Sequence, residues 1–209
     1  MSRDEVEVIA KEVAYKGHFS IDRYRLRHRK FDGSWSQELD REVFERGHGV
    51  AVALYDPDRD ELVLIEQFRP GAMSAAKMPW YDGSPWLLEC VAGIIDDGET
   101  PEDVARREVL EESGCSVSSL EYVCKYMASP GSSSETVFVY CAQVDSMQVG
   151  GIYGLDQECE DIRVFAVPVN EAMEWLDEGR FVNALTIVAL QWFRHHQERL
   201  RHAWRTAGL

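Results

Sequence analysis

Apolar and polar residues alternate with a period of two near the start of the chain, over residues 5–15 and again over 19–31. This spacing puts the apolar side chains on one face and is typical of β-strands. Turn-forming residues follow at 30–34, and 35–46 has the pattern of a returning strand. We therefore predict a small N-terminal antiparallel β domain over residues 1–46. A sheet of this size is marginally stable alone and needs a partner surface.

The pattern changes after residue 46, where strands and helices are mixed. The predicted strands cover 50–56, 61–69, 86–95, 120–127, 135–145 and 162–168, the predicted helices cover 101–113, 170–178 and 183–205, and loops are expected at 70–84 and 150–154. The order lacks a regular strand–helix–strand repeat. It favours an α/β domain over residues 47–209, with a mixed sheet covered by helices.

The helix at 101–113 has the clearest end signals in the chain. Thr100 is a residue type that caps helix N-termini, Pro101 occupies the first helical position, and Gly114 stands where the helix should stop.

Three glutamates, Glu108, Glu111 and Glu112, share one face of this helix because they are three and four residues apart. Like charges at this spacing repel one another. A solvated acidic face would tolerate them, but a divalent cation such as Mg²⁺, which prefers carboxylate oxygens, would offset the repulsion. Arg107 lies among these acids and is expected to pair with Glu99 and brace the preceding turn.

The surroundings of the glutamates decide between these alternatives, because residues 93–115 resemble the Nudix box. The matching positions are Gly93, Glu99, Arg107, Glu108, Val109, Glu111, Glu112 and Gly114, with Cys115 in the last hydrophobic position. Cysteine behaves as a small apolar residue when it is buried, so this departure is minor.

The resemblance implies a Nudix α/β/α sandwich around a mixed β-sheet and a hydrolase of nucleoside diphosphates linked to another group. It implies two or three Mg²⁺ ions, with Mn²⁺ as a substitute, held by Glu108, Glu112, the carbonyl of Ala92 and Glu160. These ions would polarise phosphoryl oxygens and lower the pKa of a bound water. Glu158, or alternatively Glu111, would accept the proton of that water.

Segments outside the box resemble bacterial Nudix enzymes that act on ADP-ribose. They include REVFERGH, VLIEQFR, PWLLECVAG, EDIRV and a proline sixteen residues after Gly114, and together they cover nearly the whole chain. The implied products are AMP and ribose 5-phosphate. Two alternatives stay open: a hydrolase of another nucleotide sugar such as GDP-mannose, and a catalytically silent nucleotide sensor.

In that group two subunits exchange the N-terminal domain, so the resemblance also implies a homodimer in which each domain completes the partner's site. The residues expected to contact the substrate are Arg41, Arg69, His18, Phe19, Gly131 and Glu135. His18 or Phe19 would stack on adenine. Arg41 and Arg69 would reach phosphate or ribose, since arginine suits bidentate phosphate contacts, although surface positions for both are an alternative.

The net charge of −15, from 22 basic and 37 acidic residues, argues against a nucleic-acid partner. Residues 89–112 and 156–161 supply −11 of it, whereas residues 1–46 are balanced with ten acids and ten bases. The acidity is therefore concentrated where cations are expected. We expect no membrane segment and, from five scattered cysteines without a CxxC pair, a reducing cytoplasm.

Overall fold

Two separate β-sheets organise the chain in the computed structural model, which describes residues 5–79, 81, 83–155, 157 and 159–206. One compact unit contains the chain up to His48 together with Met127–Thr136, and the other contains Gly49–Tyr126 and the chain from Val137 onward. The predicted boundary after residue 46 stays a prediction. No helix in the described residues is long and apolar enough to cross a membrane.

The N-terminal sheet consists of β1 (Val6–Lys16), β2 (Ser20–His28) and β3 (Leu39–Glu45), in that order. Both pairs of neighbouring strands are antiparallel, which confirms the small antiparallel β domain. The segment Met127–Thr136 joins this sheet through Phe44, whose N–H donates to the carbonyl of Ser132 at 2.8 Å.

The rest of the chain contains the strands β4 (Gly49–Asp56), β5 (Glu61–Phe68), β6 (Trp86–Glu89), β7 (Val91–Ile94), β8 (Ser119–Met127), β9 (Thr136–Gln143), β10 (Gly151–Tyr153) and β11 (Ile162–Pro168). Its helices are α1 (Pro70–Ala75), α2 (Pro101–Ser113), α3 (Val169–Asp177) and α4 (Ala184–Thr206). The strand order is β10-β11-β5-β4-β9-β8, with β6 paired to β5 and β7 paired to β4. The sheet is mixed, because β4 and β9 are parallel whereas β4 and β5 are antiparallel.

Helices cover both faces of this sheet and form the predicted α/β/α sandwich. On one face α2 buries Val104 and Val109 in a cluster that includes Ile65 of β5. On the other face α4 buries Phe193 against Tyr55, with ring centroids 4.8 Å apart. Alternate residues of a strand therefore face different helices, and the face of each side chain can be read from its register.

Three local predictions differ from the structure. The loop at 70–84 contains the short helix α1, and the loop at 150–154 contains β10, which is ordered by pairing with β11. The single strand predicted at 86–95 is divided at Cys90, whose N–H donates to the side chain of Thr186 at 3.0 Å instead of to a strand. The break at Cys90 thus depends on a partner that is distant in sequence.

Candidate active site

Helix α2 presents the glutamates, and its ends are fixed as predicted. The side chain of Thr100 accepts a hydrogen bond from the N–H of Asp103, and Pro101 occupies the first turn. Gly114 ends the helix in the left-handed conformation, with φ of 69°, and donates to the carbonyl of Leu110. The start and the end of the helix are therefore specified by neighbouring residues.

Arg107 braces the loop before the helix. Its Nε and Nη2 lie 2.9 and 3.0 Å from the two carboxylate oxygens of Glu99, which confirms the predicted pair. This bidentate contact lowers the pKa of Glu99. The Nη1 of Arg107 also donates to Glu108 at 2.8 Å and to Glu111 at 3.0 Å. The arginine thus links the loop to two of the three helix carboxylates.

Glu112 is the most deeply buried of the three glutamates, with 2% of its surface exposed. One carboxylate oxygen accepts the backbone N–H of Ala92 at 3.0 Å. Because the N–H and C=O of a strand residue point to the same side, the carbonyl of Ala92 also lies on the side of Glu112. Burial raises the pKa of Glu112 to about 8, and the charges of Glu108 and Glu160 add to this effect.

Glu108 packs directly over the backbone of Gly93. A Cβ atom at Gly93 would lie 1.8 Å from a carboxylate oxygen of Glu108, so only glycine permits this contact. Burial raises the pKa of Glu108 to about 7, although the charge of Arg107 acts in the opposite direction. The first residue of the box motif is thus required by the close approach of a carboxylate to the strand.

Glu160 approaches the same carboxylates from the loop before β11. It is close enough that its charge contributes to the raised pKa of both Glu108 and Glu112. Gln67 donates to Glu160 at 3.4 Å, while the Oε1 of Gln67 is buried and has no hydrogen-bond partner among the described residues. A buried carbonyl oxygen without a donor is costly and calls for an unseen partner.

These features fit a hard divalent cation. The donors are carboxylates and a backbone carbonyl, which Mg²⁺ prefers, and the unpaired Oε1 of Gln67 suits the water that Mg²⁺ usually retains. Within the described residues no three His, Cys, Asp or Glu side chains are grouped so that they could hold a metal ion, and Arg107 donates to both Glu108 and Glu111. The sequence-predicted residues Glu108, Glu112, Glu160 and Ala92 are nevertheless neighbours.

Arg69 stands beside this acidic group, immediately after β5. Its charge lowers the pKa of Glu112, in opposition to the effect of burial. Its Nε and Nη2 both lie 2.8 Å from one oxygen of Glu89, which is fully buried. The other oxygen of Glu89 accepts the side-chain amide of Asn183. The predicted substrate residue Arg69 is therefore held by Glu89, which is in turn bonded to Asn183.

The remaining predicted substrate residues lie in the N-terminal unit. His18 contacts Phe19 edge-on, with centroids 4.5 Å apart, and Phe19 in turn contacts Phe44 at 5.3 Å. Arg46 lies 5.7 Å from the Phe19 ring and pairs with Glu135 at 3.3 Å. Phe19 and Glu135 are therefore connected through an arginine that the sequence reasoning did not select.

Arg41 and Gly131 show no such connection. Arg41 is exposed and donates to the carbonyl of Asp40, and Gly131 lies in the turn that follows Ser129. Glu158, the predicted base, lies outside the described residues.

Four polar residues of these clusters were missed from the sequence: Gln67, Glu89, Asn183 and Arg46. Glu89 had a usable signal, since it is an acid inside the apolar run 86–95. Gln67 likewise interrupts the strand pattern of 61–69. A buried polar residue of this kind needs a hydrogen-bonding or charged partner, and so it indicates a polar cluster such as a binding site.

Comparisons with known proteins show the family of the chain. The sequence matches the NUDIX domain family over residues 45–189. It is 46% identical, over 97% of this chain and 94% of the relative, to an ADP-ribose pyrophosphatase of Escherichia coli strain K12. It is 33% identical to a GDP-mannose pyrophosphatase of Cronobacter sakazakii, over 89% of this chain and 93% of the relative.

A solved structure of an ADP compounds hydrolase has the same fold. The TM-score is 0.69 at 21% identity, covering 96% of this chain and 99% of the other. The fold and the carboxylate helix thus define a hydrolase built on an α/β/α sandwich, with a candidate cation site. The chain belongs to the Nudix family.

Proposed function

We propose that this protein hydrolyses the pyrophosphate bond of ADP-ribose to AMP and ribose 5-phosphate, with Mg²⁺ as cofactor. The similarity to the Escherichia coli enzyme over nearly the whole chain carries this proposal. The GDP-mannose relative supports the alternative substrate at lower identity. The buried carboxylates add chemical support. Their negative charge would repel a pyrophosphate, so a bound cation is required to offset that charge before the substrate can bind.

Glu108, Glu112, Glu160 and the carbonyl of Ala92 are the proposed ligands of the cation. When bound, it would polarise a phosphoryl oxygen and make an attacking water more acidic. Glu158 takes the proton from that water, with Glu111 as the alternative base. Such general-base assistance contributes about 10²–10⁴-fold to the rate.

The same proposal assigns the substrate contacts. Arg69 contacts a phosphoryl oxygen, and Arg41, His18, Phe19, Gly131 and Glu135 contact the nucleotide or ribose. The contact between Arg46 and Glu135 supports adding Arg46, since this ion pair would orient Glu135.

Initial rates on ADP-ribose, GDP-mannose, NADH and FAD with Mg²⁺ test the substrate. We expect ADP-ribose to give the highest kcat/KM and AMP as a product. A preference for GDP-mannose would transfer the proposal to that substrate. Tight ADP-ribose binding without AMP formation would indicate a nucleotide sensor instead.

Gly93→Ala is expected to weaken activation by Mg²⁺, because a Cβ atom would collide with the Glu108 carboxylate. We expect the Mg²⁺ concentration for half-maximal activity to rise by about 10-fold or more, in the range of changes to a metal-supporting shell. Gly71→Ala is the matched control, since a Cβ atom there meets nothing within 4 Å. Equal Mg²⁺ dependence for both variants would contradict the role of Glu108.

The proposed partner is a second copy of this chain that receives the N-terminal domain. Strand β1 is exposed along its whole length, including Val8 at 54% and Val13 at 59%. An exposed apolar edge strand is a hazard unless another surface covers it.

Light scattering during gel filtration tests the dimer. We expect the wild type at twice the 23.9 kDa chain mass and the variant with Val8→Asp and Val13→Asp at the monomer mass. Ile152→Asp is the control, because Ile152 is an equally exposed apolar residue on another strand. An intact dimer in the double variant would exclude β1 from the interface.

The cytoplasm is the proposed compartment. All five cysteines are free thiols, and three of them, Cys90, Cys115 and Cys141, are buried. Free thiols are typical of a reducing environment.

A further inference from the structure

We propose that Glu89 and Asn183 are positioning residues for Arg69, and that they aim its free edge at the phosphoryl groups of the substrate. This inference rests on the proposed function. Glu89 lies outside the box motif. Because its carboxylate is paired with Arg69, it acts on the substrate only through that arginine.

The register of β5 and β6 places Arg69 and Glu89 on one face of the sheet. Ile65 packs in the cluster that contains α2, and Gln67 and Arg69 follow at intervals of two, so their side chains point to the same side. Glu89 is the direct partner of Ile65 across the antiparallel pair and shares that face. Arg69 and Glu89 therefore lie on the face that carries the helix glutamates.

Arg69 is the one cationic partner of Glu89 in the described part of the chain. Glu89 is fully buried; the Nε of Arg69 donates to one of its oxygens at 2.8 Å, and the Nη2 of Arg69 lies 2.8 Å from the same oxygen in an ion pair. A buried carboxylate that loses its cation is strongly destabilising, so Arg69 is constrained to this geometry. No described residue accepts a hydrogen bond from the Nη1 of Arg69, and the charge of Arg69 acts on Glu112. The unused edge is available to an anion next to the cation ligands.

Asn183 fixes the other side of Glu89. Its Oδ1 accepts the N–H of Leu185 at 3.1 Å and caps α4, while its amide group donates to the second oxygen of Glu89. The rigid start of a 23-residue helix thus holds the carboxylate, and the carboxylate holds the arginine. Asn183 is suited to this task because one amide supplies both an acceptor and a donor.

The first test measures, without any metal, whether the effects of Arg69 and Glu89 on the Tm depend on each other. We expect Arg69→Ala to lower the Tm in EDTA, because Glu89 is left buried and unpaired. Adding Glu89→Gln to Arg69→Ala should raise the Tm again by about 4 °C or more. No recovery in the double variant would overturn the ion pair as the constraint on Arg69.

The second test measures positioning in the kinetics. We expect Glu89→Gln to lower kcat/KM by about 10–100-fold, mainly through KM, and to have no further effect in the Arg69→Ala background. Asn183→Ser, which keeps an N-cap oxygen but removes the amide N–H group that contacts Glu89, should behave similarly. Thr186→Val is the control, since it removes a buried hydrogen bond to Cys90 without touching Arg69.

The two proposals fail differently. If the wild type does not hydrolyse ADP-ribose, the proposed function fails, and the same double-variant cycle is run on whichever substrate of the panel is hydrolysed fastest. If Glu89→Gln lowers kcat/KM equally with and without Arg69, the positioning role is overturned while the proposed function stands. If Glu89→Gln lowers kcat/KM only when Arg69 is present, the positioning role is supported.

Discussion

Glu112→Gln is expected to remove nearly all hydrolysis of ADP-ribose at any Mg²⁺ concentration. The amide keeps the size of the side chain and can still accept the N–H of Ala92, but it lacks the negative charge that a cation requires. Loss of one preorganised electrostatic contact costs about 10²–10³-fold in kcat, and a buried metal ligand should cost at least as much. Turnover at saturating Mg²⁺ and Mg²⁺ binding by calorimetry measure the two effects.

Two further variants show whether the loss belongs to this position. Glu102→Gln removes the same charge from an exposed position in the first turn of α2 and should leave turnover unchanged. Glu158→Gln should keep Mg²⁺ binding but lower turnover, as expected for a base. Wild-type turnover in Glu112→Gln would refute the metal assignment, and unchanged turnover in Glu158→Gln would transfer the role of base to Glu111.

The features predicted from sequence are those that depend on nearby residues. The caps of α2 at Thr100 and Gly114 and the pair between Arg107 and Glu99 each connect positions no more than 8 residues apart. Local hydrogen bonds of this kind follow from residue type and spacing. The carboxylate face of α2 follows likewise from the helical repeat.

The missed features depend on contacts between distant residues. The break at Cys90 requires Thr186, which is 96 positions away. The role of Glu89 requires Asn183, which is 94 positions away, and Gln67 meets Glu160 across 93 positions. No local pattern names these partners. The sequence can only indicate that a polar residue inside an apolar strand needs one.

The acidity of the chain has a consequence for stability that can be measured without substrate. The pKa values of Glu108 and Glu112 are raised to about 7 and about 8, mainly because both carboxylates are buried. Glu111 and Glu160 also raise the pKa of Glu108, whereas Arg107 and Arg69 act in the opposite direction on the carboxylates beside them. The folded protein therefore binds protons that the unfolded chain releases above a pH of about 4.5.

The metal-free protein is accordingly expected to become less stable as the pH rises from about 5 to about 8. In that range the unfolded state binds fewer protons than the folded state, so the free energy of unfolding falls, by about 1.4 kcal/mol per pH unit for each carboxylate that is protonated only in the folded state. Asp56 does not obscure this trend. Burial alone would raise its pKa, but hydrogen bonds from Ser146 and Arg59 lower it to about 2, and its stabilisation is lost only in stronger acid.

Urea unfolding in EDTA at pH 5 and pH 8, repeated with Mg²⁺, measures this expectation. A cation binds only ionised carboxylates, so the stabilisation by Mg²⁺ should be small at pH 5 and large at pH 8. Glu112→Gln should flatten the decline in EDTA and be more stable than the wild type at pH 8, because it removes a buried charge. A metal-free stability that rises between pH 5 and pH 8 would show that the two carboxylates are solvated rather than buried. The acidic side chains that destabilise the metal-free protein at pH 8 are thus expected to make its stability depend on the bound cation.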